Sequence, residues 1–295
     1  MRPLPPALVA SIAGDATTLA KCWKATRRDG LVLGFTDHDR DIAFDGVTYA
    51  ANSGVQGSDS EANADFAVGG ADMSGALSSD GLSERDLAKG LWDDATIEVF
   101  IVDWSNPEAR VAVDEGAIGE IRRQGAAFVA EMRGMAHRFD EERGRRFVAS
   151  CSASLGDARC GVNLLAWTAS AEVAGADGAA LLRSAGLAGY ADGLFRAGAL
   201  RWTSGENAGL IQEVRDHRAE GAEAVLTLWS PPPFAIAAGD AFTVSAGCDK
   251  RFATCRDRFS NAANFRGFPH IPGSDLLMRV ARQGEPNMDG GSFFR

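Results

Sequence analysis

No stretch of the 295 residues approaches the roughly eighteen consecutive apolar residues that a membrane-crossing helix needs, so no membrane span is expected. Met1-Arg2-Pro3-Leu4-Pro5-Pro6 has no apolar h-region, so a secretory leader is not expected and structural disulfides are disfavoured. Lysine is scarce, with four residues among 30 basic ones, and no basic block or stripe is present. With a net charge of −10, this argues against tight nucleic-acid binding, and DNA meeting such a surface would slide. There is no P-loop and no glycine-rich fingerprint following a strand. No period of about 20–50 residues marks a solenoid.

What remains is a chain long enough for two domains with real cores, and its periodicity is that of short strands. Residues 3–15 read as an apolar N-terminal arm. Residues 31–36 and 42–49 read as strands, the second folded at Asp45-Gly46, a hairpin turn signal. Residues 52–81 are polar and read as a long loop carrying an edge strand near 65–68. Ser83 caps a short helix with Glu84 and Asp86 in its first turn. Residues 95–104 alternate through Ile97, Val99 and Ile101. Residues 111–147 offer three more strands separated at Gly116, Gly125 and 140–144.

Further strands are expected at 167–173, 193–202, 209–218, 222–228 and 241–245, with a proline-rich crossing at 230–234. The fold class is therefore mainly β: two small antiparallel β barrel or sandwich domains over 1–165 and 166–245. A cysteine-containing segment and tail follow over 246–295.

Several residues invite a catalytic reading. Asp37, His38, Asp39 and Asp41 have the chemistry of a divalent-metal site, but strand alternation sends Asp37 and Asp39 to one face and His38 to the other. Cys255 and His270 would make a thiol nucleophile and base only with a lowered thiol pKa and an orienting third group, and no motif supplies either. His137 and His217 read as surface residues beside arginines, and Glu141-Glu142-Arg143 as a charged turn. No catalytic residue is assigned, and an enzyme is not expected.

The cysteines are the informative set. Cys22 sits among apolar neighbours and reads as a buried free thiol. The other four form two pairs, Cys151 with Cys160 and Cys248 with Cys255, separated by eight and six residues in loops containing Gly or Ser. Zinc knuckles are usually tighter than this, whereas iron–sulfur clusters tolerate looser spacing. Spacing alone leaves a four-thiolate metal site, two disulfides and unligated thiols all open. The stretch 247–273 around the second pair is too rich in Asn, Gly and Pro for a regular element, yet carries Phe259, Phe265, Phe268 and Ile271. Such a loop does not bury enough surface to order itself, so something local should hold it.

Residues 246–273, AGCDKRFATCRDRFSNAANFRGFPHIPG, closely resemble the C-terminal signature of the phage tail-tip hub proteins. This family is found in siphophages and in the gene transfer agents of alphaproteobacteria, and is similar to minor tail protein L of phage lambda. Residues 34–39, GFTDHD, and 151–162, CSASLGDARCGV, agree with the resemblance, which spans nearly the whole chain.

The resemblance implies a structural baseplate hub at the virion tail tip, in a particle assembled in the bacterial cytoplasm, built of domains like those of the tail tube. It implies an iron–sulfur cluster, 4Fe-4S, held by Cys248 and Cys255, with Cys151 and Cys160 completing the set and zinc as the alternative metal. With each pair expected at a domain junction, the cluster would clasp the two halves together. The implied partners are two further copies in a homotrimer, a distal tail protein ring, a central tail-tip fibre protein, a cell-wall peptidase component, and DNA only in transit. An iron–sulfur redox protein and a zinc-stabilised binding module are the competing readings. Neither a compact Cys-x-x-Cys-x-x-Cys run nor a second cofactor motif is present to support electron transfer.

Overall fold

The structure, a computed structural model, describes residues 4–14, 16–51, 56–57, 70–76, 83–124, 127–134, 139, 144–271 and 278. The chain divides into two compact units, 1–143 and 144–295. Both are built on β-sheets, as the alternating strands require.

In the first unit a short helix α1, Pro6–Ile12, precedes the strands β1 (Leu19–Thr26), β2 (Val32–Thr36), β3 (Ile42–Phe44), β4 (Val47–Ala50), β5 (Gln56–Gly57) and β6 (Gly70–Ala76). After the helix α2 (Glu84–Ala88) come β7 (Thr96–Asp103), β8 (Arg110–Gln124) and β9 (Ala127–Gly134). They form one nine-stranded sheet in the order β3-β4-β2-β1-β7-β8-β9-β6-β5. Every pairing is antiparallel except β2 with β4.

β1 shows why this sheet is covered on both sides. Cys22 and Trp23 point to opposite faces, and both are buried. Trp23 joins Phe35, Trp92, Ile97, Val99 and Met132, while Cys22 joins Ile42, Phe44, Tyr49 and Val102. The Asp45-Gly46 turn has positive φ at both residues, 50° and 73°, as a tight hairpin between β3 and β4 demands. Ser83 caps α2 through Oγ, which accepts the Asp86 N–H at 3.1 Å.

Two expectations change. The N-terminal arm contains α1, whose Pro6 sits in the first turn, where no N–H is needed, and whose Leu8 is fully buried. Gly116 does not break a strand; it lies inside β8, where a Cβ would stand 2.4 Å from the Arg133 carbonyl oxygen of β9. Among the described residues the run 111–147 therefore holds two strands, not three. The edge strand expected at 65–68 lies outside the described residues.

The second unit carries β10 (Thr168–Glu172), β11 (Gly175–Ala176), β12 (Leu181–Ser184), β13 (Ala199–Trp202), β14 (Ile211–Glu220), β15 (Glu223–Leu228) and β16 (Ala241–Ser245). They form an antiparallel sheet in the order β10-β16-β13-β14-β15-β12-β11. One face buries Leu182, Leu200, Trp202, Val214, Leu226, Phe242 and Val244. The expected strand at 193–202 begins only at Ala199, because 191–198 is wound into successive turns bonded Leu194 to Ala191, Arg196 to Gly193 and Gly198 to Phe195. The short strands β11 and β12 and a helix α3 (Phe252–Asp257) inside the cysteine loop are additions to the sequence reading. Residues 144–165, expected with the N-terminal domain, pack in the second unit.

Candidate functional site

The four paired cysteines meet in the second unit, although about ninety residues separate the pairs in sequence. Cys255 lies within electrostatic reach of Cys151, Cys160 and Cys248, and Cys248 within reach of Cys151. All four are free, and the two pairs join parts of one unit rather than standing at the junction expected for them.

Backbone contacts bring the two segments together. Residues 148–152 run beside 266–268: Phe268 donates its N–H to Val148 O at 2.9 Å, and Ser152 donates its own to Arg266 O at 3.3 Å. Gly267 permits this approach, since a Cβ there would lie 2.5 Å from Ser150 O. Gly247, just before Cys248, is more constrained still: its Cβ would lie 1.5 Å from Arg196 O. Cys160 closes a turn in which Asp157 Oδ1 accepts its N–H at 2.7 Å. That carboxylate accepts the Ser154 and Arg159 N–H groups as well, and these bonds hold its pKa below the usual range.

Two residues bridge the pairs. Lys250 accepts the Cys151 N–H on its carbonyl at 2.9 Å, turns its backbone N–H toward the Cys248 sulfur, and reaches Ala153 O with Nζ at 2.6 Å. Asn261 gives Nδ2 to Cys160 O at 2.7 Å and to Cys160 Sγ at 3.6 Å, while its carbonyl accepts the Cys255 thiol at 3.3 Å. Arg266 donates its backbone N–H to Cys151 Sγ at 3.4 Å. The phenylalanines anchor the rest of the loop: Phe259 on Trp167, Phe265 on Phe252, and Phe268 on Phe147 beneath the Arg145 guanidinium.

Burial raises the Cys248 thiol pKa, against the opposing pull of the Lys250 N–H and charge. Burial likewise raises that of Cys255, and the three neighbouring sulfurs add to it. An activated nucleophile needs the opposite shift, so the Cys255–His270 hydrolase reading has no support here. A soft metal reverses this balance by taking the place of the protons. Among the described residues no three His, Cys, Asp or Glu side chains are grouped so as to hold a single metal ion. The donor set is four sulfurs, three of them facing N–H donors, and this fits a thiolate-bound cluster in kind.

The other candidates separate from this site. Cys22 is buried in the first unit beside Thr36 Oγ1 at 3.5 Å, and burial pushes its thiol up to about 11. Asp37 Oδ1 accepts the Lys21 N–H, His38 packs on Trp104 and accepts the Arg40 N–H, and Asp41 Oδ1 accepts the Ala51 N–H. These groups organise a turn and do not converge. His137 and residues 141–143 lie outside the described residues. His217 is a correction: it is fully buried, not on the surface, and neither ring nitrogen has a hydrogen-bond partner in the protein. A bulge between Val214 and Asp216 shifts the register, so His217 turns inward three residues after the inward Val214. Lys250, Asn261 and Asp157 had no signal in the sequence beyond the loop-forming character of their segments.

Residues 5–163 match a family model described as the baseplate hub protein, N-terminal attachment domain. Residues 193–275 match a second, the phage conserved hypothetical protein BR0599. The first span contains Cys151 and Cys160, the second Cys248 and Cys255. Among solved structures, a chain of the virion of a native gene transfer agent particle is 40% identical, with a TM-score of 0.85. The alignment covers 98% of this chain and 100% of that one. A search of curated proteins finds no match. Among the described residues no helix is long and apolar enough to cross a membrane.

Proposed function

Because the chain belongs to the baseplate hub protein family, we propose that it is a ring-forming structural hub whose four thiols hold an iron–sulfur cluster. Its place is the virion tail tip. The observation that carries the hub reading is similarity along the whole length, 98% of one chain against 100% of the other.

In this reading three copies form the ring, docked between a distal tail ring and a central tip protein, with a peptidase component nearby. DNA passes through without being held, and the net charge of −10 supports this by repelling phosphates. The cluster, of 4Fe-4S type, would be held by Cys151, Cys160, Cys248 and Cys255. Its chemistry is cross-linking through thiolate bonds, which would staple 247–268 to 148–161 within the second unit. Cys255 lies near the other three sulfurs, and an all-sulfur donor set with spacings of eight and six supports a polynuclear cluster over tetrahedral zinc.

The test is iron and acid-labile sulfide analysis of chain purified without oxygen, with its visible absorption spectrum. One cluster per chain supports the reading. Stoichiometric zinc without sulfide replaces the cluster by an ion, and metal-free chain with four reactive thiols overturns both. The ring is tested by the mass of the isolated hub and by its copy number in density of the assembled tail tip.

A further inference from the structure

We propose that Asn261 is the positioning residue of the thiol site, orienting Cys160 and Cys255 as one unit toward a shared cluster. The inference rests on the iron–sulfur reading above for its ligand, but not for its geometry. Asn261 is the point at which two loops remote in sequence are fastened at their sulfurs. Its side-chain amide bonds both the carbonyl oxygen and the sulfur of Cys160. Its backbone bonds Cys255 twice: the N–H donates to Cys255 O at 3.0 Å, and the carbonyl accepts the Cys255 thiol.

The direction of the amide is itself fixed. Asn264 Nδ2 donates to Asn261 Oδ1 at 2.8 Å, which leaves the Asn261 NH2 group facing Cys160. Ser260, the preceding residue, has φ of 49°, so the chain reverses sharply after α3 and carries Asn261 back over Cys255. A carboxylate here would lose both donors and place charge beside the sulfurs. Lys250 makes the parallel tie between Cys248 and Cys151, so each bridging residue joins one cysteine of the first pair to one of the second.

An N–H donor to a ligating sulfur stabilises the charged cluster and raises its reduction potential, and partners of this kind govern metal retention. The experiment compares the full chain with Asn261→Asp and Asn261→Ala, purified without oxygen. The expected result is iron retention against a chelator about 10–100-fold weaker in both variants. Any cluster that remains should have a one-electron midpoint shifted to more negative potential.

A second measurement needs no cluster. In metal-free chain, N-ethylmaleimide labelling followed by mass spectrometry should speed up most at Cys160 in Asn261→Ala, which loses both side-chain bonds, with a smaller rise at Cys255, whose bonds to the residue 261 backbone remain, and no change at Cys151 and Cys248. Wild-type retention and midpoint in both variants would overturn the proposal. So would equal acceleration at all four thiols with loss of β circular dichroism, which would mean general unfolding. Wild-type chain that takes up neither iron nor sulfide would sink the cluster reading alone, and the labelling pattern would still decide the role of Asn261.

Discussion

Phe259 meets Trp167 edge-on, with ring centroids 4.9 Å apart, and this contact fixes the cysteine loop to the residue just before β10. Phe259 is buried, whereas most of the loop is half-exposed or exposed. The loop is therefore pinned at two kinds of place: at its sulfurs, and at an aromatic pair on the sheet.

The aromatic pin is testable alone. Phe259→Ala removes a buried ring and its partner contact, and should cost about 3 kcal/mol of the second unit's stability. Thermal unfolding of the full chain should show one transition moved down, with the transition of the first unit in place. A melting profile that matches wild type would mean that the loop is held elsewhere.

Most strands and the paired cysteines were legible in the sequence because both rest on local regularities, whereas β1 and β6 were not read as strands. Alternation through Ile97, Val99 and Ile101 gives β7, and Asp45-Gly46 gives the β3–β4 hairpin. What escaped depends on contacts between remote segments. Gly116 looks like a turn residue until the Arg133 carbonyl is found against it. His217 reads as exposed beside Arg218, and the bulge that turns it inward leaves no mark in the sequence. Asn261 is one polar residue in a polar loop; only the fold brings Cys160 to its amide. The convergence of the four thiols was implied by family resemblance, since spacings of eight and six fix no partner.

His217 gives a dependence on pH. Burial holds its pKa below the ordinary value of 6.5; Asp192 and Asp216 pull it upward and Arg196 downward, and burial wins. Asp216 is itself paired with Arg196 and Arg218. The unfolded chain thus binds a proton near pH 6.5 that the folded chain refuses. The contribution of His217 is undiminished above that pH and is lost as pH falls below it. The slope is at most about 1.4 kcal/mol per pH unit until the folded pKa is reached. Melting temperatures measured from pH 7.5 to 5 should fall more steeply for wild type than for His217→Leu, which keeps the site apolar beside Phe195. Parallel curves would show that His217 does not titrate across folding.

The sulfur pin is tested in assembled particles. Cys248→Ser and Cys255→Ser each remove one soft ligand, so under the cluster reading the loop loses its cross-link and Phe259, Phe265 and Phe268 lose their fixed places. Full burial of a ring is worth roughly 1.5–3 kcal/mol, and Phe259 is buried while Phe265 and Phe268 are half-buried, so their joint loss is a large share of the stability of a marginal domain. Tails should stall without a complete tip, or the subunit should be degraded before docking. Cys22→Ser is the internal control: its thiol lies in the first unit with Thr36 as its bonding partner, and serine retains that hydrogen bond. Its particle yield should stay near wild type. The measurement is the protein composition of tail tips from each variant. Complete tips in Cys248→Ser and Cys255→Ser particles, with failure only at a later redox-dependent step, would transfer the case to electron transfer. A hub whose thiols serve as a clasp should instead fail at assembly, before any DNA has moved.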